Sequence, residues 1–290
     1  MSNSGLMNDK VVLITGASDG IGKVAAGVLA GMGAKVILVG RNLEKTSKVA
    51  SEITQKTGNS GLEYLIADLS DQAQVRRLAA EFRQKHDRLD VLVNDAGAMF
   101  MSRQISRDGY EMTFALNHLP YFLLTNLLLD LIKTSAPARI VNVSSRAHQG
   151  ARLNFDDLQN SQHFNPQNAY GESKLANIYF TYELARRLEG SGVTVNALHP
   201  GFVATNFGAS NGGIYRLAFG LGHMAAISPA EGAETLIYLA SSPEVEGVTG
   251  KYFVQKKEVP SSDVSYDVEA ARRLWQVSLE LTGLAEGEKA

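Results

Sequence analysis

The chain has 290 residues, with 28 lysines and arginines against 30 aspartates and glutamates, and no cysteine. That length allows one large α/β domain or two smaller ones, and it buries enough surface to fold without metal or disulfide staples. The absent cysteine excludes a disulfide framework, a thiol nucleophile and thiolate-bound zinc or iron–sulfur, and a net charge of −2 gives no general attraction to nucleic acid or acidic lipid.

A hydrophobic share of 44% with 20% charged residues is globular in character. Met1–Lys10 is polar and lacks the apolar core of a signal peptide. The longest apolar stretch, Tyr121–Ile132, is broken by Thr125, Asn126 and Asp130, short of the ~18 residues of a membrane helix. No membrane segment and a cytoplasmic location are expected.

Lys10–Thr15 is a β-branched run that stops at Gly16, as a buried parallel strand does. Similar runs follow at Ala34–Val39, Leu62–Ala67, Leu89–Asn94, Arg139–Ser144, Val193–Leu198 and Lys251–Val254. Helical spacing lies between them at Ile21–Met32, Gln72–His86 and Tyr170–Leu188. Ser228-Pro229-Ala230-Glu231 is a capping box with proline at the first helical position, opening a helix through Leu239. Leu274, Val277 and Leu281 form a last apolar stripe that Gly283 stops. The alternation predicts one doubly wound α/β domain over residues 1–290, of Rossmann type, with about seven parallel strands and helices on both faces. Residues 146–168, rich in Asn, Gln and His, and 206–227, rich in Gly, are long for connectors and favour a functional reading.

Gly16-Ala17-Ser18-Asp19-Gly20-Ile21-Gly22 joins the first strand to the first helix. Gly16 permits the sharp turn, Gly20 the approach of a phosphate, and Gly22 close packing of helix on strand. The helix-start amides then face a pyrophosphate. Gly16-Ala17-Ser18-Asp19-Gly20 also matches G-x-S-x-G, which would make Ser18 a hydrolase nucleophile, with Asp156 and His199 as nominal partners. After the second strand the acid that holds a free ribose 2′-hydroxyl is missing; Arg41 and Asn42 stand there, with Lys45 behind, which favours NADP(H) although Asp19 opposes it.

Tyr170 and Lys174 stand at i and i+4 on one helical face. A nearby ammonium lowers a phenol's pKa from about 10 toward the catalytic range. Pro120 cannot donate to the Leu116 carbonyl and should bend its helix there. The six histidines form no metal-ligand spacing, and no metal is expected.

With TGASDGIG at 15–22, Ala67-Asp68-Leu69, Asn94-Asp95-Ala96-Gly97, then Asn117, Ser145, Tyr170, Lys174 and Pro200-Gly201, the chain resembles the short-chain dehydrogenase/reductase family from Val11 to about Gly283. Within it, VNVSSRAH at 141–148, SKLAN at 173–177 and LHPGFVAT at 198–205 resemble the retinol dehydrogenase-like branch. The resemblance implies hydride transfer between NADP(H) and an apolar carbonyl or the corresponding alcohol. It makes Tyr170 the general acid or base and Ser145, chosen over Ser144, the partner of the substrate oxygen. Lys174 would lower the Tyr170 pKa and hold the nicotinamide ribose, and Asn117 would place a relay water. Asp68 and Leu69 would meet the adenine, Asn94, Ala96 and Gly97 the ribose side, and Pro200, Gly201, Val203 and Thr205 the nicotinamide. Asp95 stands where the family usually has asparagine, so its carboxylate needs new partners or a solvent-facing pose.

Met99–Met101, Arg146 and Phe207, with the glycine-rich 206–227 as a lid, would rim the substrate pocket. A rival class is a cofactor-binding sensor or interaction protein on the same fold. Many relatives form homo-oligomers through the helices that here span 108–133 and 167–189, and the insert before Tyr170 could block that packing.

Overall fold

Wholly buried Val11–Thr15 forms β1, an interior strand of the sheet. The structure, a computed structural model, describes residues 5–203 and 227–284. Strands β2 (Lys35–Gly40), β3 (Leu62–Ile66), β4 (Val91–Asn94), β5 (Ala138–Val143), β6 (Val193–His199) and β7 (Lys251–Val254) join β1 in parallel, in the order β3-β2-β1-β4-β5-β6-β7. The sheet has eight strands, not seven, because β8 (Lys257–Glu258) folds back antiparallel on β7. Gln255 and Lys256, at φ of 50° and 62°, make that turn without the Asn-Gly signal that announces such hairpins.

Alternate residues of each strand feed opposite layers. Leu13, Ile37 and Val39 face α3 (Gln72–Lys85), α5 (Leu119–Thr134), α6 (Pro166–Arg187) and α8 (Val268–Thr282). Val12, Ile14, Val36 and Leu38 face α1 (Gly20–Gly31), α2 (Leu43–Thr57) and α7 (Pro229–Ser241). The α2 helix had no assignment from sequence, since only Thr46, Val49, Ala50 and Ile53 are buried along it.

The chain does not bend at Pro120 within one helix. The short α4 (Met112–Asn117) ends, and α5 begins afresh at Leu119 with the proline in its first turn. Together Met112–Thr134 is long and apolar enough to cross a membrane, but most of it is buried inside this fold, as in a core helix. The outer faces of α5 and α6, considered above for oligomer pairing, are covered by α8 of the same chain. Trp275 meets Phe122 edge-on at 4.9 Å and stacks on Phe180 at 5.9 Å, with Arg187 4.2 Å above its ring.

The strand order reverses between β1 and β4, the switch point at which open α/β sheets bind ligands. The turns after these two strands and one turn of α6 make up the site.

Candidate active site

The loop after β1 is bound to the loop after β4 by one hydroxyl. Thr15 Oγ1 accepts from the amides of Asp95 at 2.9 Å and Ala96 at 3.1 Å, and itself donates to the Val93 carbonyl at 3.3 Å. Gly16, at φ 72°, brings the two loops together: a Cβ there would stand 3.0 Å from the Ala96 backbone. Asp19 caps α1 and its carboxylate also pairs with Lys45 Nζ at 2.6 Å. The acid that opposed an NADP(H) reading is thus countered, and Lys45 is engaged. Asn42 caps α2 through the Lys45 amide. Arg41 is exposed at the end of β2 and has no side-chain partner among the described residues.

Such a cradle fits a dinucleotide. A Cβ at Gly16 or Gly22 would collide with the Ala96 backbone or the Asp95 carboxylate, and one at Gly97 would crowd Asn117 and Lys174, so these glycines let the walls of the cradle come together. Asp68 turns its carboxylate on the Ser70 amide and hydroxyl, and Leu69 is buried beside it. Asn94 does not face the cradle with its side chain. Its amide donates to Thr125 and to Asn142, which donates in turn to Thr181.

Tyr170, Ser145, Lys174 and Asn117 come together over this floor. Ser145 is hydrogen-bonded to the Tyr170 phenol. Ser144 is buried and donates to the Lys174 carbonyl at 2.8 Å, so of the two serines only Ser145 faces the tyrosine. Lys174 Nζ donates to the Val143 carbonyl at 3.1 Å and lies 5.7 Å from the Tyr170 ring centre. Asn117 is tied down by its side chain, accepting from the Ala98 amide and donating to the Ala98 carbonyl and to Ser173 Oγ. The Asn117 carbonyl accepts from Asn177 Nδ2 at 3.0 Å.

Burial sets the direction of the Tyr170 shift. Burial pushes the Tyr170 phenol up to about 12; the Ser145 hydrogen bond pulls back, and the Asp95 charge adds to the rise. Burial also drives the Lys174 ammonium down to about 8 against the attraction of Asp95. The expected shift is reversed because desolvation of the phenolate outweighs a cation that faces the ring.

Asp95 finds its partner inside: the Gly22 amide donates to its carboxylate. Pro200 and Gly201 are partly buried, and Val203 makes a bridge to Ile227 beside α7. Met99 and Phe100 are buried, whereas Arg146 is exposed. Thr205, Phe207 and the stretch 206–226 of the proposed lid lie outside the described residues. The insert 151–165 packs Ala151, Leu153 and Phe155 beside α4, α6 and α8 and bonds Asn160 to Glu172. No hydrolase triad forms around Ser18: Asp156 pairs with Arg273 of α8, and His199 accepts from the Arg146 amide. No cluster of three or more His, Asp or Glu suited to a metal occurs among the described residues.

Two further contacts support the serine turn. His148 Nδ1 meets the Ser145 carbonyl at 2.5 Å while its Nε2 accepts from the Ser262 amide, so the neutral ring fastens the serine turn to the C-terminal segment. Gly171 lets α6 touch that turn, since a Cβ there would stand 2.8 Å from the Ala147 carbonyl. A glycine inside a helix costs about 1 kcal/mol against alanine, which is the signal that could have marked it.

A family profile described as short chain dehydrogenase matches residues 10–212. The chain belongs to the short chain dehydrogenase family. Human retinol dehydrogenase 14 is 46% identical over 296 residues, covering 97% of this chain and 88% of that protein. Human polyprenol dehydrogenase is 44% identical over 285 residues, covering 96% and 86%. Among solved structures, a short chain dehydrogenase from Shigella flexneri complexed with NADP is 27% identical with a TM-score of 0.69, covering 88% of this chain and all 100% of the other.

Gly171→Ala should raise helix propensity yet displace the Ser145 turn by part of an ångström. Misplacement on that scale costs roughly ten- to a hundredfold in rate. The expected outcome is lower kcat with an unchanged or higher Tm, read by steady-state assay and thermal melt.

Proposed function

We propose that this short chain dehydrogenase is an NADP(H)-dependent oxidoreductase that reduces apolar aldehydes or ketones, the reverse oxidation of the alcohols using the same residues. The observation that carries the reading is the cluster itself, with Ser145 hydrogen-bonded to the Tyr170 phenol and Lys174 Nζ 5.7 Å from its ring centre. The Tyr170 phenol, raised by burial, gives its proton to the developing alkoxide as the general acid. Ser145 orients the substrate oxygen beside it. The Lys174 ammonium, next to the ring, stabilises the phenolate left behind.

The cofactor is NADP(H), which when bound supplies or accepts the hydride. Arg41, exposed at the end of β2 and without a side-chain partner among the described residues, fits a 2′-phosphate, and the nearby Asp19 carboxylate is engaged by Lys45. Two relatives are named as retinol and polyprenol dehydrogenases, and both of those alcohols are apolar, which supports an apolar substrate. Buried Met99 and Phe100 supply apolar surface behind the site.

Three measurements test this. Tyr170→Phe keeps the ring and removes the proton, so turnover should fall at least 10²-fold or so while NADPH affinity holds; retention of about a tenth of the rate would refute the assignment. Arg41→Ala should weaken NADPH by roughly 10–150-fold, the worth of a charge-assisted hydrogen bond, and leave NADH almost unchanged. Along a C3 to C10 aldehyde series, kcat/KM should climb several-fold per carbon at about 0.8 kcal/mol per methylene until the pocket fills. A flat series, or preference for a charged sugar, would mean a polar pocket.

A further inference from the structure

Asp95 occupies an unusual position for an acid. It is partly buried at the end of β4, and its Oδ2 is pressed against the underside of the glycine turn: a Cβ added to Gly22 would stand 2.6 Å from that oxygen, and one on Gly16 3.2 Å. The Gly22 amide donates to it. Gly20 donates to the Asp19 carboxylate at 2.8 Å. Two of the first amides of α1 are therefore already facing carboxylates, at the helix end that favours anions. The Asp19 charge is countered by Lys45 on the outside of the turn. The ionisable groups that act on Asp95 are Lys174 and Tyr170 of α6 and Tyr121 of α5; Lys174 is the sole cation among them, and it already donates to the Val143 carbonyl.

We propose that Asp95 is a positioning residue that links a proton to cofactor affinity: its carboxylate takes up one proton from solvent when NADP(H) seats on the glycine turn and releases it when the cofactor leaves. The proposal rests on the turn being the seat of the pyrophosphate and does not depend on the substrate. An ionised Asp95 puts negative charge directly beneath the place where the phosphates gather, and repulsion between like charges across a shielded turn is strong. Protonation removes it and leaves a neutral acceptor on the Gly22 amide. Burial, opposed by Lys174, already places the group at about 7, so a polyanion above the turn need move it only modestly to bind a proton at neutral pH. Linkage then makes the effect reciprocal: affinity for NADPH falls as pH rises through this range.

The test is calorimetric titration of the full chain with NADPH at pH 7.5, in two buffers of different ionisation enthalpy, which counts protons without any turnover. The wild type should take up a substantial fraction of one proton, and its Kd should rise about three- to tenfold between pH 7 and 8. Asp95→Asn, with an uncharged acceptor of the same shape, should lose at least half of the uptake, flatten the slope and bind more tightly at pH 8. The cofactor's own 2′-phosphate titrates in both proteins and cancels, whereas Lys174 is coupled to Asp95, so the difference between them reads the Asp95–Lys174 pair. A purely structural role would change Kd equally at every pH and leave proton uptake alone. Equal uptake in both proteins, or none in the wild type, overturns the proposal. Should Asp95→Asn fail to fold, Asp95→Ser offers the same comparison. Absence of NADPH binding altogether would sink the assignment of the turn as well, so the two failures are told apart.

Discussion

The Thr15 hydroxyl is the joint on which the site depends. It closes the gap between the ends of β1 and β4, accepting two amides of one loop while donating to the strand beneath. Parallel strands expose their last amides at the sheet edge, and buried amides need partners. By satisfying two of them from the neighbouring strand, Thr15 holds the glycine turn and the 94–97 loop at one spacing. The close approach of Gly97 to Asn117 and Lys174 follows from that spacing, and so does the wedging of Asp95 beneath Gly22.

A second layer of buried polar contacts transmits this order into the helices. Asn94, Asn142 and Thr181 hand hydrogen bonds from β4 through β5 to α6, while Asn177 holds the carbonyl at the break between α4 and α5. Tyr170 and Lys174 ride on the same α6, so the reacting face is indexed to the sheet by buried polar side chains. Polar networks of this kind are costly when incomplete and rigid when complete.

Features encoded locally were legible in the sequence. Strand runs, the capping box at Ser228 and the i, i+4 spacing of Tyr170 and Lys174 need only neighbours along the chain, and they stand where the residues put them. What was illegible joins distant segments. Lys45 reaches Asp19 across 26 positions, and Asp95 meets Thr15 across 80. The Tyr170 shift was misjudged for a related reason: the spacing to Lys174 is one-dimensional, but desolvation is a property of everything packed around the ring. The choice of Ser145 over Ser144 came from family resemblance; in the structure one serine faces the phenol and the other the Lys174 carbonyl.

The seam between α8 and the α5–α6 pair gives the molecule an internal reporter. Trp275 is the sole tryptophan of the chain, and it sits in that seam, edge-on to Phe122 and beneath the Arg187 guanidinium. Its indole nitrogen is buried without a hydrogen-bond partner among the described residues, so its emission is set by the apolar surroundings and the Arg187 cation. Intrinsic fluorescence therefore senses the docking of the C-terminal helix and not the glycine turn on the far side of the sheet. A reduced nicotinamide's own emission, by contrast, would report on the cofactor site. Detachment of the last helix and loosening of the cofactor cradle thus carry separate optical signatures in an unlabelled protein, and the order in which the two halves of the fold give way can be followed with light.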